Sequence, residues 1–151
     1  MERDVAFNLL VNIRDEHQAA RFAVTETGHA FQVSAEWVRA GLDAGVTSGK
    51  LARCARNLEA TYVIRLFSEF EGILLSYWQG GLGRRTRPKV HVLIERIADI
   101  RKCDSTTRAD AHEVQEYRND IIHEQLRDAR LTLQQCQNQL DVFLSWLPPR
   151  W

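Results

Sequence analysis

The sequence predicts an all-α protein, an antiparallel helical bundle of four long helices preceded by shorter N-terminal helical pieces. Two patterns support this prediction. Apolar residues recur at the spacing of a helix face along most of the chain, and the alternation typical of strands is almost absent. The chain has 151 residues, the size of one ordinary domain, so we expect a single domain over residues 1–151.

The composition is that of a folded soluble protein. The 20 Lys and Arg residues balance the 20 Asp and Glu residues, which excludes a generally polybasic protein but not a local basic patch. No apolar run approaches the roughly 18 residues of a membrane span, and the first residues lack a signal pattern. We therefore expect a cytoplasmic protein without a membrane partner. Three cysteines without a CxxC pair, and histidines without ligand spacing, predict neither a metal site nor a cofactor.

The N-terminal third contains a predicted helix and a looser region. The helix runs from about Asp4 to Thr25, and Gly28 is expected to end it. Its inward face is predicted to include Val5, Leu9 and Ile13. Glycines loosen the stretch from 29 to 50, where Ser34 could cap a short helix.

The four long helices follow. The first, from about Leu51 to Trp78, has the clearest inward face: Val63, Leu66, Phe67, Phe70, Leu74 and Tyr77. The second is predicted over about 88–102 and the third from the turn at 104–107 to about Leu126. A capping box of Thr132 and Gln135 opens the last helix, which continues to Leu147.

A basic segment links the first two long helices. Its cations are Arg84, Arg85, Arg87 and Lys89. Such a segment could follow an RNA backbone, or it could be a solvated loop before a helix, and the sequence favours neither reading.

One polar cluster on the third long helix differs from an ordinary solvated face. On a helix, Tyr117 points toward the core, whereas Arg118, Asn119, Ile122 and His123 spread over the largely opposite arc. Asn119 and His123 are one turn apart. A guanidinium, an amide and an imidazole on one face are suited to holding a phosphate beside a proton-transfer group. The alternative is a solvated face with an incidental histidine.

These residues resemble the Arg-polar-x3-His motif of HEPN domains. The segment 66–78 resembles the second helix of that family, in which an aromatic residue and Glu precede an apolar run, and the segment 132–147 resembles its last helix. The resemblance extends over 51–147 and does not place residues 1–50.

The resemblance implies a metal-independent endoribonuclease in which two copies of the motif face each other across a homodimer axis. Arg118 would then bind the scissile phosphate, and His123 would transfer protons as the 2′-hydroxyl attacks. Asn119 would orient the histidine or the phosphate. Glu71, near a position where the family often has an acidic residue, could support Arg118, or it could simply reach solvent.

The resemblance also implies a biological setting and a partner. HEPN ribonucleases are commonly toxins or phage-defence effectors, so a cognate antitoxin or a nucleotidyltransferase is a possible partner. Many HEPN toxins that are paired with nucleotidyltransferases have a Tyr two residues after the motif histidine. This chain has Gln125 there, which argues against that form of regulation.

Ile122 gives a separate indication of a dimer. It is apolar, yet it lies between Arg118 and His123 on the face turned away from the core. Apolar residues flanked by functional polar ones are often interface residues, although single exposed apolar side chains are common. Two other functions remain open at this point: a non-catalytic HEPN module that binds a nucleotide or a protein, and a helical interaction protein in which the motif is coincidental.

Overall fold

The computed structural model describes residues 1–123 and 130–151. These residues form six α-helices, a π-helical turn and no strand, which confirms the predicted all-α bundle. The elements in chain order are α1 (Arg3–Val33), α2 (Ala35–Asp43), α3 (Ser48–Ser76), the π-helical turn (Tyr77–Gly81), α4 (Val90–Arg101), α5 (Ser105–Ile122) and α6 (Leu133–Ser145).

The core forms around the second half of α3. Every residue of its predicted inward face is buried: Val63, Leu66, Phe67, Phe70, Leu74 and Tyr77. The ring of Phe70 packs at 5.8 Å from that of Phe67 and edge-on at 5.6 Å from that of Phe143 in α6. Such aromatic pairs stabilise a core beyond the area they bury. The sequence pattern therefore located the centre of the molecule correctly.

Contacts between the helix ends give the directions of the helices. Midway along α1, the His17 ring lies 5.2 Å from Tyr62 of α3, whereas the start of α1 lies near the end of α6, where Arg3 Nη1 donates to the Leu147 carbonyl. At the start of α6, the backbone N–H of Leu133 donates to Glu59 of α3 at 2.9 Å. Accordingly, α6 runs in the same direction as α3, and α1 runs antiparallel to both.

The prediction for the first helix was wrong in length, and its inward face was right only in part. The helix does not end before Gly28 but continues to Val33, which makes it the longest of the described helices, not a short piece. Of the predicted inward face, Ile13 is buried and Leu9 packs partly buried against the core, but Val5 is 47% exposed and Ala6 and Leu10 are buried instead. Ser34, in extended conformation, ends α1 and caps α2 as predicted, because its hydroxyl accepts from the backbone N–H of Trp37.

The later helices agree with the predictions except at their ends. The capping box at Thr132 and Gln135 is present, and α4 begins at Val90, two residues later than predicted. The helix α5 ends at Ile122, with His123 as its C-cap. The predicted end of this helix at Leu126 lies outside the described residues.

The outer part of the molecule lacks a core of its own. No residue from 18 to 62 is buried, so the second half of α1, α2 and the first half of α3 project beyond the bundle. Four large apolar side chains of this outer part are exposed: Phe22, Val33, Trp37 and Leu42. Among the helices of the described residues, none is long and apolar enough to cross a membrane.

Candidate functional site

The first half of α5 is fixed by capping and by ion pairs to α4. The Asp104 carboxylate accepts from both the backbone N–H and the hydroxyl of Thr107 at 2.8 Å, and these hydrogen bonds lower the pKa of Asp104. Arg108 donates to Glu95 at 2.9 Å and to Asp99 at 2.6 Å. His112 completes the network through a 2.6 Å contact with Glu95. The helix is thus held firmly where it begins.

The solvent exposure of the motif residues increases along the last turn of α5. Tyr117 is buried, Arg118 and Asn119 are half-buried, Ile122 is 44% exposed and His123 is exposed at the helix end. The predicted inward position of Tyr117 and outward positions of Ile122 and His123 are therefore present. The predicted motif residues lie on one turn and a half of a single helix.

Arg118 lies closer to the core than its place on the outer arc suggested. Its guanidinium carbon is 5.9 Å from the centre of the Phe67 ring, a cation–π contact with a fully buried aromatic residue. The buried Nε has no hydrogen-bond partner among the described residues. Because Nε is shielded from solvent, a phosphate would have to contact the Nη groups that remain beyond the Asn119 bond.

Asn119 holds Arg118 directly. Its side-chain oxygen accepts from Arg118 Nη1 at 2.9 Å, and its backbone carbonyl accepts from the His123 N–H at 3.0 Å. The amide therefore orients the guanidinium, while the backbone positions the histidine. The His123 ring has no hydrogen-bond partner among residues 1–123 and 130–151.

Glu71 lies one turn after Phe67 on α3 and is half-buried. It is thus near the ring that Arg118 covers. Within the described part of the chain, no ion pair joins Glu71 to Arg118. The supporting role of Glu71 stays a prediction.

The basic segment is exposed and begins at the other end of the core. The guanidinium carbon of Arg84 lies 5.9 Å from the centre of the Trp78 ring, and that of Arg96 in α4 lies 5.8 Å from it. Trp78 follows Phe67 by eleven residues, or about 16 Å along a helix. The segment and the Arg118 surface are therefore separate cationic regions.

Sequence reasoning missed three contributions to these regions. It treated Phe67 as a core residue only, although that ring also supports Arg118. It did not include Arg96 with the basic segment, because the two are brought together only through Trp78. It also missed the ion pair of Arg130 with Asp120, which joins the chain after residue 129 to the last turn of α5. Pairs this distant leave no periodic signal in a single sequence.

Comparison with protein-family models, with curated proteins and with solved structures found no match to this chain. The HEPN resemblance therefore rests on the motif and its helical context. In the described residues, no group of three or more His, Cys, Asp or Glu side chains is placed to hold a metal ion.

Proposed function

We propose that the protein is a metal-independent endoribonuclease of the HEPN type, with its site at the end of α5. One observation supports this proposal above the others. Arg118 is half-buried, stacked on Phe67 and held by Asn119, and exposed His123 follows at the helix end. Cations that only solubilise a protein extend into water, whereas this one is fixed against Phe67 and Asn119.

The proposed reaction uses the 2′-hydroxyl of the RNA as the nucleophile. As the 2′-oxygen bonds to phosphorus and the bond to the 5′-oxygen breaks, one imidazole accepts the 2′-hydroxyl proton and another donates a proton to the leaving 5′-oxygen. The guanidinium stabilises the charge that develops on the phosphate oxygens. Each protomer has one motif histidine, so a pair of protomers would provide both imidazoles. The products are a 2′,3′-cyclic phosphate and a 5′-hydroxyl.

The RNA would extend from this site toward the basic segment. Arg84, Arg85, Arg87 and Lys89 are all exposed and form no ion pair with another described residue. A strand bound at Arg118 would need to span only a few nucleotides to reach them. A toxin or phage-defence role, with an antitoxin as partner, belongs to the same proposal. Gln125, which replaces the Tyr of toxins paired with nucleotidyltransferases, lies outside the described residues.

A second candidate is a non-catalytic module that binds a nucleotide or a protein. It is favoured by the His123 ring, which has no hydrogen-bond partner among the described residues, whereas catalytic histidines are usually oriented by a second group. The same arginine would bind a phosphate without cleaving it. Cleavage and binding must therefore be measured separately.

The test is cleavage of a mixed RNA pool by the purified full chain in excess chelator, followed by analysis of the RNA ends. We expect cleavage that leaves cyclic phosphates. The variants Arg118→Gln and His123→Ala should each lose about 10²-fold or more in rate, because Arg118 stabilises the charge that develops on the bound phosphate and His123 transfers protons. Glutamine keeps part of the arginine stem over Phe67, which limits the loss of packing.

The matched controls are Arg39→Gln and His29→Ala, at exposed positions of the outer helices. These should cleave at the wild-type rate. Binding without cleavage by the wild type would favour the non-catalytic module. Normal cleavage by both motif variants, or cleavage that requires added Mg²⁺, would disprove the proposed site.

A further inference from the structure

A second cationic site is built where α3 ends. The π-helical turn is closed by the backbone N–H of Leu82, which donates to the Tyr77 carbonyl at 3.0 Å. Gly83 then adopts a left-handed conformation with φ of 64°, which is available to glycine at no steric cost. The next backbone N–H, of Arg84, donates to the Trp78 carbonyl at 3.1 Å. This turn directs the chain back over its own helix.

The turn places Arg84 and Arg96 against the same indole. Trp78 is only 4% exposed, and both guanidinium carbons lie within 6 Å of its ring centre. The indole N–H donates to the Thr86 hydroxyl at 3.1 Å, which ties the returning segment to the ring. Two like charges on one ring repel each other, so their positions favour an anion between or beside them.

The residues around Trp78 include more positive than negative side chains. A cavity of about 620 Å³ is lined by Arg84, Arg85 and Arg96, with Asp99 as its carboxylate. Asp99 is already paired with Arg108 at 2.6 Å. The three lining arginines form no ion pair with another described residue. The cavity lining therefore carries three guanidiniums against one carboxylate, a net positive charge.

We infer that this cavity binds the terminal phosphate group of a nucleotide. A terminal phosphate carries more charge than the single charge of an internal RNA phosphodiester, and guanidiniums bind phosphate through paired N–H donors. The volume is within the range of small-molecule sites, so a nucleoside can follow the phosphate into the cavity. Ile100, which is 46% exposed and lines the same cavity, provides an apolar surface for a ribose or a base.

Terminal phosphates of this kind come from two sources, a free nucleotide or the 5′ end of an RNA. The inference does not depend on the Arg118 site, because the residues that line the cavity include none of that motif. A failure of one proposal can therefore be distinguished from a failure of the other.

The test is calorimetric titration of the full chain with sodium tripolyphosphate, with ATP, and with an RNA hexamer carrying either a 5′-phosphate or a 5′-hydroxyl. We expect tripolyphosphate to bind. The double variant Arg84→Gln/Arg96→Gln should weaken it about 100-fold, since each lost charged hydrogen bond corresponds to about tenfold in affinity. Arg39→Gln, which removes the same charge from an exposed position on α2 outside the cavity lining, should change the affinity less than about twofold.

The other titrations identify the source of the phosphate. Tighter binding of the 5′-phosphorylated hexamer than of ATP indicates an RNA end, and the reverse order indicates a free nucleotide. Four results would overturn the inference: no binding of tripolyphosphate, equal binding of the two hexamers together with no binding of ATP, an equal loss in the Arg39→Gln variant, or equally tight binding of a Glu octapeptide, which would indicate an acidic protein. If the double variant loses its helical circular dichroism signal, Arg85→Gln replaces it.

Discussion

At the scale of single residues, burial gives similar polar groups different roles. Arg118 is half-buried and is partnered by Asn119 and the Phe67 ring, so its guanidinium is held in one orientation. Asp141 on α6 is also half-buried, but its Oδ1 has no partner among the described residues. Burial raises the pKa of Asp141 to about 6, although Gln137 and Arg14 oppose the shift. The arginine can serve binding, whereas the aspartate weakens the fold.

Asp141→Asn should therefore increase stability at neutral pH. The carboxyl holds its proton more tightly in the folded chain than in the unfolded chain, where its pKa is 3.8. The wild type thus loses stability as the pH rises from about 4 to 6, while the variant does not. Above pH 6 we expect the variant to be more stable by about 1 kcal/mol, a value discounted for the water that still reaches the group.

Urea unfolding at a series of pH values would measure this difference. The control Glu116→Gln changes an exposed carboxylate of α5. Its stability should differ from that of the wild type by no more than about 0.5 kcal/mol, as is usual for a surface substitution. A pH-independent difference for Asp141→Asn would contradict the assigned effect of burial.

At the scale of elements, the pattern of apolar residues predicted the buried face of α3 better than that of α1, whose second half projects beyond the core. The inward face of α3 could be read correctly because aromatic and branched residues fill one side of it. On α1, the predicted Ile13 is buried, but Ala6 and His17 are buried as well whereas Val5 is exposed, so size and hydrophobicity placed only part of the inward face. Similarly, Gly28 resembles a helix end, but α1 continues to Ser34, where the backbone becomes extended. Tertiary packing overrides local preference at these positions.

Gly28→Ala should stabilise the protein. A Cβ at Gly28 would meet no atom within 4 Å, and glycine in a helix interior costs about 0.5–1 kcal/mol relative to alanine. Gly72→Ala on α3, with equally open space, should give a similar gain. Gly41→Ala is the contrasting change, because its Cβ would collide with the ring of Phe31.

Thermal and urea unfolding of the three alanine variants would check this prediction. The first two should unfold at higher temperature and denaturant concentration than the wild type, and Gly41→Ala at lower values. Destabilisation by Gly28→Ala would indicate that α1 is interrupted at that position.

At the scale of the whole molecule, the fold class could be predicted from the sequence, but the contacts between helices and the exposure of the outer helices could not. The fold class could be predicted because helical periodicity persists along the chain. The contact of Asn119 with Arg118, and that of Arg96 with Trp78, could not, since they depend on rotamers and on how helices meet. Nor could the lack of buried residues between 18 and 62, because Phe22 and Trp37 are of the types normally found inside. Exposed apolar side chains mark an assembly surface only where they form a contiguous patch.

The assembly that the proposed chemistry requires is a dimer through the end of α5. Ile122 is 44% exposed and lies in the same turn as Asn119 and His123. Burying it in an interface would contribute roughly 1.5–3 kcal/mol per side chain. We therefore expect the wild type to sediment as a dimer, and Ile122→Glu to be a folded monomer without cleavage activity, because two like charges would meet near the axis.

Val142→Glu is the matched control for this dimer. Val142 is 48% exposed, close to the value for Ile122, but it lies near the end of α6, whereas the motif is near the start of that helix. The same change of charge there should leave both the dimer and its activity unchanged. Light scattering and RNA cleavage on the same samples would distinguish the outcomes. A monomeric but active wild type would show that one copy of the motif is sufficient. An active Ile122→Glu dimer would show that the protomers pair through another surface. The exposed apolar side chains of the outer helices would then be the next candidates.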